Sequence, residues 1–109
     1  MQRVAQIISL KPEAVTRYRE LHASVWPDVL GMIRASNITN YSIFLREPEN
    51  LLFAYFEYVG EDYAADMAAM AADPVIQSWW GITMPLQQPL PTRTEGEWWA
   101  GTEEVFHLD

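Results

Sequence analysis

The first 60 residues contain three segments with the residue pattern of β-strands. The first covers residues 4–10, where apolar residues outnumber polar ones until Lys11-Pro12 ends the segment. Residues 38–46 and 51–59 form two further strand-like segments, and the polar residues between them are typical of a turn. The sequence therefore predicts one separate strand and one β-hairpin, with a loop of four to six residues.

Between the first strand and the hairpin, the apolar spacing changes to three or four, which predicts a helix from Glu13 to about Val25. Tyr18 and His22 lie four positions apart and so should share one face of this helix. The Trp26-Pro27-Asp28 segment should break the helix and start a second one that runs to about Ser36. Asn37 is a candidate for its left-handed C-terminal cap.

The second half of the chain begins with a helical pattern. Residues 62–72 are rich in alanine and methionine, and Asp73-Pro74 should open a short helix that ends near Gly81. Three prolines within residues 85–97 favour an extended arm. Residues 103–108 have the pattern of a short last strand.

The predicted order β-α-β-β-α-β is the ferredoxin-like pattern, an α+β fold. In this fold an antiparallel sheet is covered by helices on one face. We expect a single domain spanning residues 1–109, since the chain has the usual length of one domain. The other face of the sheet then needs a cover, which could be a ligand or a second copy of the chain.

Charge and composition narrow the range of partners and compartments. The chain has 15 acidic and 7 basic residues and a net charge of −8, so we expect no nucleic-acid partner. It has no cysteine, which excludes disulfides and thiolate nucleophiles. No apolar run is long enough for a membrane span, and the N-terminal segment is too short and too polar for a signal peptide. We therefore expect a soluble, cytoplasmic protein with no membrane partner.

The side chains that could carry chemistry are few. His22 can exchange protons near neutral pH, and Tyr18 places a phenol in the same space. A buried structural histidine is the alternative. Trp79 and Trp80 offer flat faces that suit the C–H face of a sugar, although adjacent tryptophans more often belong to a core or an interface. Tyr41 could present a hydroxyl at the sheet face, or serve only in packing.

A metal or phosphate site is not indicated. The two histidines, His22 and His107, are 85 positions apart, and no carboxylate cluster has the spacing of metal ligands. His107 is expected to be structural, since no residue pairs with it at helix or strand spacing. No glycine-rich phosphate loop or nucleophile elbow occurs. We therefore expect chemistry that uses His, Tyr and carboxylates, with no cofactor.

Several short motifs, taken together, resemble the L-rhamnose mutarotase family. They run in order across almost the whole chain, and they are specific only in combination. The matching pieces are Tyr18-x-x-x-His22 with Val25-Trp26-Pro27, Asn40-Tyr41-Ser42-Ile43-Phe44-Leu45, Asn50-Leu51-Leu52-Phe53-Ala54, Trp79-Trp80, and Glu103-Glu104-Val105-Phe106.

The resemblance implies a homodimeric ferredoxin-like fold of the dimeric α/β-barrel kind. It also implies a cofactor-free aldose 1-epimerase, an enzyme that interconverts the anomers of L-rhamnose or a related 6-deoxyhexose. A cytoplasmic location is implied as well. By position, His22 matches the proton donor of the family. Tyr18, Tyr41, Trp79 and Trp80 match its sugar-contacting residues. No role is implied for Trp98 or Trp99.

Mutarotation needs only general acid and base groups, because the sugar ring opens and closes by proton exchange. With His22 serving the ring oxygen, the partner base stays open between Tyr18 and a bound water. Two other classes of protein remain possible. One is a cofactor-free or haem-using monooxygenase of the dimeric ferredoxin-like type, and the other is a non-catalytic sugar binder that uses the same aromatic residues.

Overall fold

A computed structural model describes all 109 residues. Its regular elements are five strands and four helices, joined in part by 3₁₀ turns at Pro12–Ala14 and Met84–Leu86. The strands are β1 (Gln2–Leu10), β2 (Ile38–Arg46), β3 (Leu51–Tyr58), β4 (Gln87–Gln88) and β5 (Ala100–Gly101). The helices are α1 (Val15–Ala23), α2 (Pro27–Ala35), α3 (Tyr63–Ala72) and α4 (Pro74–Thr83).

The strands form one antiparallel sheet in the order β2-β3-β1-β4, with β5 also paired to β1. The predicted hairpin is β2 and β3. Strand β1 contains the predicted first strand, residues 4–10, and begins two residues earlier; it pairs with β3 from Gln2 opposite Tyr58 to Ser9 opposite Leu51. The predicted ferredoxin-like α+β fold is confirmed.

The predicted last strand at residues 103–108 is wrong. That segment has no regular structure, and the free edge of β1 is paired instead by β4 and β5. Both lie outside the segment predicted as a strand, and β4 lies within the predicted extended arm. A segment forms a strand only where the backbone of another strand is available to pair with it. The residue pattern of a short segment does not show which segment lies beside the edge of the sheet.

Local signals place the helices close to their predicted limits. The Asp62 carboxylate accepts a hydrogen bond from the Ala65 N–H at 3.1 Å, so it caps α3, and Asp73 caps α4 just before Pro74. Helix α4 continues two residues past Gly81. Asn37 has a φ of 65°, which confirms the predicted left-handed cap after α2.

The hydrophobic core is divided into two clusters. Helix α1 packs on the sheet through the first cluster, which comprises Ile8, Leu10, Val15, Tyr18 and Leu52. The second cluster lies within the helical layer, where Val29 of α2 contacts Ile76 and Trp79 of α4. Side chains alternate along β3, so that one face of the sheet is turned toward the helices and the other is not. The space between the two clusters, on the helical side of the sheet, holds the candidate site.

Candidate active site

A cavity of about 1000 Å³ lies between the helices and the sheet. It is lined mainly by apolar side chains, with a few polar groups among them, as is usual for pockets that bind small molecules. The structure brings together there all five residues singled out from the sequence, which are Tyr18, His22, Tyr41, Trp79 and Trp80. Their grouping depends on α1, β2 and α4, which are distant in sequence and adjacent in the fold.

Tyr18 and His22 form a stacked pair on α1. Their ring centroids are 4.1 Å apart and their planes differ by 24°. One turn of helix separates the two residues, so the spacing that predicted a shared face also produces the contact. The phenol and the imidazole therefore line the same part of the cavity.

The tautomer of His22 follows from its hydrogen bond. Nδ1 lies 2.9 Å from the backbone oxygen of Tyr18, and a carbonyl oxygen can only accept. Nδ1 therefore carries the proton in the neutral ring, and Nε2 is left with a free lone pair. Burial lowers the pKa of His22, and the bond to the Tyr18 carbonyl opposes this only in part. At neutral pH the imidazole is uncharged and ready to accept a proton at Nε2.

Tyr18 is almost fully buried, with 5% of its surface exposed. Burial raises the pKa of its phenol to about 12, although a hydrogen bond from the amide of Gln87 partly counteracts this. The phenol is therefore protonated throughout the physiological pH range. In the pair, the Tyr18 phenol is therefore a proton donor, and Nε2 of the neutral His22 imidazole is a proton acceptor.

The two adjacent tryptophans have different environments. Trp79 is 6% exposed, and its ring meets the ring of His22 edge to face at 5.4 Å and that of Trp26 at 5.1 Å. Trp80 is only half-buried, while it also lines the cavity. Trp79 thus belongs to both the core and the site, which combines two roles that the sequence presented as alternatives.

Tyr41 reaches the cavity from β2, and Ile43, two positions further along the strand, lines the same cavity. The ladder between β2 and β3 is irregular between Thr39 and Ser42, and the Tyr41 ring lies 5.3 Å from that of Phe56. Although 41% of the residue is exposed, burial of its phenol among neighbouring side chains raises the pKa of Tyr41. Tyr41 is therefore a second neutral hydroxyl in the site.

Sequence reasoning gave no role to several residues of the cavity wall. Gln87 lies in the segment predicted as an extended arm, Trp98 and Trp99 follow that segment directly, and all three line the cavity. Trp98 and Trp99 also pack against the first core cluster. Gln87 and Gln88 are adjacent in a proline-rich segment with no periodic signal, so nothing in the sequence pointed to the burial of Gln87.

Several other features of the chain lie apart from the cavity. His107 is exposed on the C-terminal tail, where its Nε2 lies 2.8 Å from the Asp109 carboxylate. No group of three or more His, Cys, Asp or Glu side chains is arranged to hold a metal ion. None of the four helices combines the length and the apolar character that crossing a membrane requires.

Comparison with known proteins bears on the identity of this fold and site. The family model described as L-rhamnose mutarotase matches residues 3–108. The chain belongs to the L-rhamnose mutarotase family. It is 31% identical to an L-rhamnose mutarotase of Phocaeicola vulgatus over the full length of both chains. It is also 34% identical to one of Listeria monocytogenes over 108 residues, which cover 99% of each chain.

Solved structures agree with the fold of this mutarotase-family chain. The crystal structure of L-rhamnose mutarotase from Formosa agariphila superposes with a TM-score of 0.78, at 23% identity and with full coverage of both chains. Tetracenomycin F2 cyclase from Streptomyces glaucescens, a type-II polyketide cyclase, has a TM-score of 0.74 at 12% identity. That match covers 100% of this chain and 98% of the cyclase. At such low identities the two structures show the shared fold alone.

Proposed function

We propose that this protein interconverts the α and β anomers of L-rhamnose, or of a closely related 6-deoxyhexose, by general acid and base catalysis. The observation that carries the proposal is the pairing of His22 and Tyr18 at the wall of a cavity with aromatic residues. His22 offers a free lone pair on Nε2, and Tyr18 offers a protonated phenol. Membership of the L-rhamnose mutarotase family names the substrate class.

The protonation states favour one division of the two proton transfers. Neutral His22 takes the proton of the anomeric hydroxyl at Nε2 while the bond between C1 and the ring oxygen breaks and C1 becomes an aldehyde. The ring oxygen takes a proton from the Tyr18 hydroxyl. This reverses the expectation that His22 serves the ring oxygen, because burial disfavours the charged imidazole and holds the phenol neutral.

Ring closure restores both side chains. After rotation about the C1–C2 bond, the hydroxyl formed from the ring oxygen attacks the opposite face of the aldehyde and returns its proton to Tyr18. The carbonyl oxygen takes the proton held by His22, so His22 is the proton donor in this half of the cycle. In the open-chain state an imidazolium lies beside a phenolate, and their stacked rings, 4.1 Å apart, let the opposite charges stabilise each other.

The remaining site residues are assigned to binding the sugar. Trp80 and Tyr41 line the cavity, and each keeps accessible surface there. A tryptophan ring suits the C–H face of a pyranose, and the Tyr41 hydroxyl can bond a sugar hydroxyl. Trp79 supports the imidazole from its edge as well as lining the cavity.

The direct test is saturation-transfer NMR of L-rhamnose with catalytic amounts of protein. We expect the exchange rate between the two anomers to rise well above the rate in buffer. The increase should be smaller for aldoses that carry a hydroxyl at C6 in place of the methyl group. One methyl group is worth about 1–3 kcal/mol in a pocket, so the expected discrimination is roughly 10- to 200-fold. Binding of rhamnose without faster exchange would identify a non-catalytic sugar binder. A haem absorbance band in the purified protein would point to a monooxygenase.

We further propose that the protein is a single-domain, cytoplasmic homodimer in which a second copy covers the open face of the sheet. Phe44 and Phe53 lie opposite each other on that face and are 61% and 39% exposed. On the C-terminal tail, Val105, Phe106 and Leu108 are at least 77% exposed. Apolar groups in such a small chain favour burial in a symmetric contact.

A charge placed on this face should weaken the homodimer. In the Phe44→Asp variant, two apolar contacts are lost per dimer, because each copy contributes the same residue. At roughly 1.5–3 kcal/mol per buried phenylalanine, the dissociation constant should increase at least about 100-fold. Light scattering on a dilution series measures it. Ala68→Asp, on the exposed surface of α3, adds the same charge and should leave the dimer intact. A wild-type protein that stays monomeric at micromolar concentration contradicts the proposal.

A further inference from the structure

Gln87 is a polar side chain in the wall of the cavity, and it has only 6% of its surface exposed. Its two polar atoms have different partners. Trp98 donates its indole N–H to Oε1 at 2.8 Å, and Nε2 donates to the Tyr18 hydroxyl oxygen at the longer distance of 3.4 Å. A hydrogen-bonded series thus runs from Trp98 through Gln87 to Tyr18.

The direction of this series follows from the chemistry of its first member. An indole N–H can donate and cannot accept, so the amide oxygen of Gln87 must face Trp98. The amide NH₂ then faces Tyr18, and the Tyr18 oxygen accepts. A hydroxyl that accepts along one direction has to direct its own proton elsewhere, and Tyr18 lines the cavity. The proton is therefore turned toward the space where the sugar would bind.

Hydrogen bonds to the backbone hold Gln87 and the loop of Trp98 in place. The N–H of Gln87 bonds to the Met84 carbonyl, and Gln87 lies opposite Leu10 of β1. On the other side, the Glu97 carboxylate accepts hydrogen bonds from the N–H groups of Thr94 and Gly101, at 2.9 and 2.7 Å. These contacts close the loop that carries Trp98 next to β5. The series thus joins Gln87 of β4 and Trp98 of the loop before β5 to Tyr18 of α1.

We propose that Gln87, oriented by Trp98, is a positioning residue that makes the Tyr18 hydroxyl a hydrogen-bond donor to the sugar. This inference rests on the proposed mutarotase function and adds to it an explanation of how Tyr18 is set to act as the acid when the sugar ring opens. It also gives roles to two residues of the segment 85–99. Neither residue needs to touch the sugar for this purpose.

Two substitutions at Gln87 separate loss of the hydrogen bond from its reversal. Gln87→Met has a similar shape and no hydrogen-bonding group, so anomer exchange should slow roughly 2- to 10-fold, the usual worth of a neutral hydrogen bond. The carboxylate introduced by Gln87→Glu can only accept, so Tyr18 would have to donate to it and withdraw its proton from the cavity. Exchange in that variant should slow by more than about 10-fold at neutral pH. Gln88→Met and Gln88→Glu, at the exposed neighbouring position, should keep the wild-type rate.

The pH dependence of the Gln87→Glu variant distinguishes positioning from damage to the fold. Once its carboxyl is protonated, that group can donate to Tyr18 again, so the ratio of variant to wild-type exchange should recover as the pH falls. Gln87→Met has no titrating group there, and its ratio should stay constant with pH. Affinity for rhamnose should change less than the rate in both variants. Equal losses at every pH in the two Gln87 variants, or losses matched by the Gln88 variants, would overturn the proposal.

A spectroscopic measurement tests the series without reference to activity. With ¹³Cζ-labelled tyrosine, the Tyr18 signal is assigned by its disappearance in Tyr18→Phe. It should shift in the wild-type background when Gln87→Glu is introduced, and should not shift with Gln88→Glu. If rhamnose exchange were absent from the wild type while this shift occurred, the mutarotase function would fail and the hydrogen-bond series would stand. An unmoved Tyr18 signal would overturn the series whatever the activity.

Discussion

Replacing His22 with alanine should slow anomer exchange by roughly 10²-fold or more, the usual contribution of a positioned general acid or base. The imidazole acts on a proton that moves only in the transition state. The aromatic contacts hold ground state and transition state alike, so affinity for the sugar should change much less than the rate. Saturation transfer reports the rate of exchange, and its dependence on rhamnose concentration reports binding.

His107→Ala is the matched control, because it removes the other histidine of the chain from an exposed position outside the cavity. It should exchange the anomers at the wild-type rate. Circular dichroism verifies that both variants fold. A folded His22→Ala protein with undiminished exchange would show that His22 is a structural histidine.

The pH profile of the same reaction tests which proton His22 handles. Because burial lowers its pKa below the ordinary value, we expect a plateau at neutral pH and a decline in exchange as the pH falls through the pKa of His22. The neutral ring is the base, so protonation removes the active form. A rate that rises as the pH falls would instead assign the protonated ring to the sugar's ring oxygen.

Trp79→Ala should have the largest effect on stability, a loss of about 3–5 kcal/mol in the free energy of unfolding. Trp79 has 6% exposure and packs against Val29 and Ile76, so truncation leaves a cavity that the surrounding helices can fill only in part. The exchange rate of the folded fraction should also fall, since the indole ring no longer packs against His22. Urea denaturation measures the loss of stability.

Trp80→Ala is the comparison, since the same atoms are removed from the adjacent, half-buried position. We expect a smaller loss of stability and a clear loss of affinity for rhamnose. Should Trp79→Ala prevent folding, Trp79→Phe keeps an aromatic ring in the core and should retain most of the stability. If Trp80→Ala proved the more destabilising of the two alanine variants, the division of roles between the tryptophans would be wrong.

Much of the fold could be predicted because its signals are local. The hairpin, the turns at Pro27 and Pro74 and the cap at Asn37 each depend on a few neighbouring residues with strong backbone preferences. The pairing of Tyr18 with His22 is local too, since one helical turn brings the two rings together.

Only the tertiary structure decided which segments complete the sheet and close the site. Residues 103–108 have the composition of a strand and remain unpaired, whereas Gln87 and Ala100 lie in short segments without a strand pattern and occupy the edge of β1. A segment pairs with an edge strand when the fold of the chain places its unpaired N–H and C=O groups beside that edge, and local residue patterns do not determine this placement. The division of labour between Trp79 and Trp80, and the burial of Gln87 between Trp98 and Tyr18, have the same origin. The sequence by itself identified a histidine and a tyrosine that can exchange protons and the helix that pairs them, whereas long-range packing decided how deeply the two side chains are buried and which groups contact them.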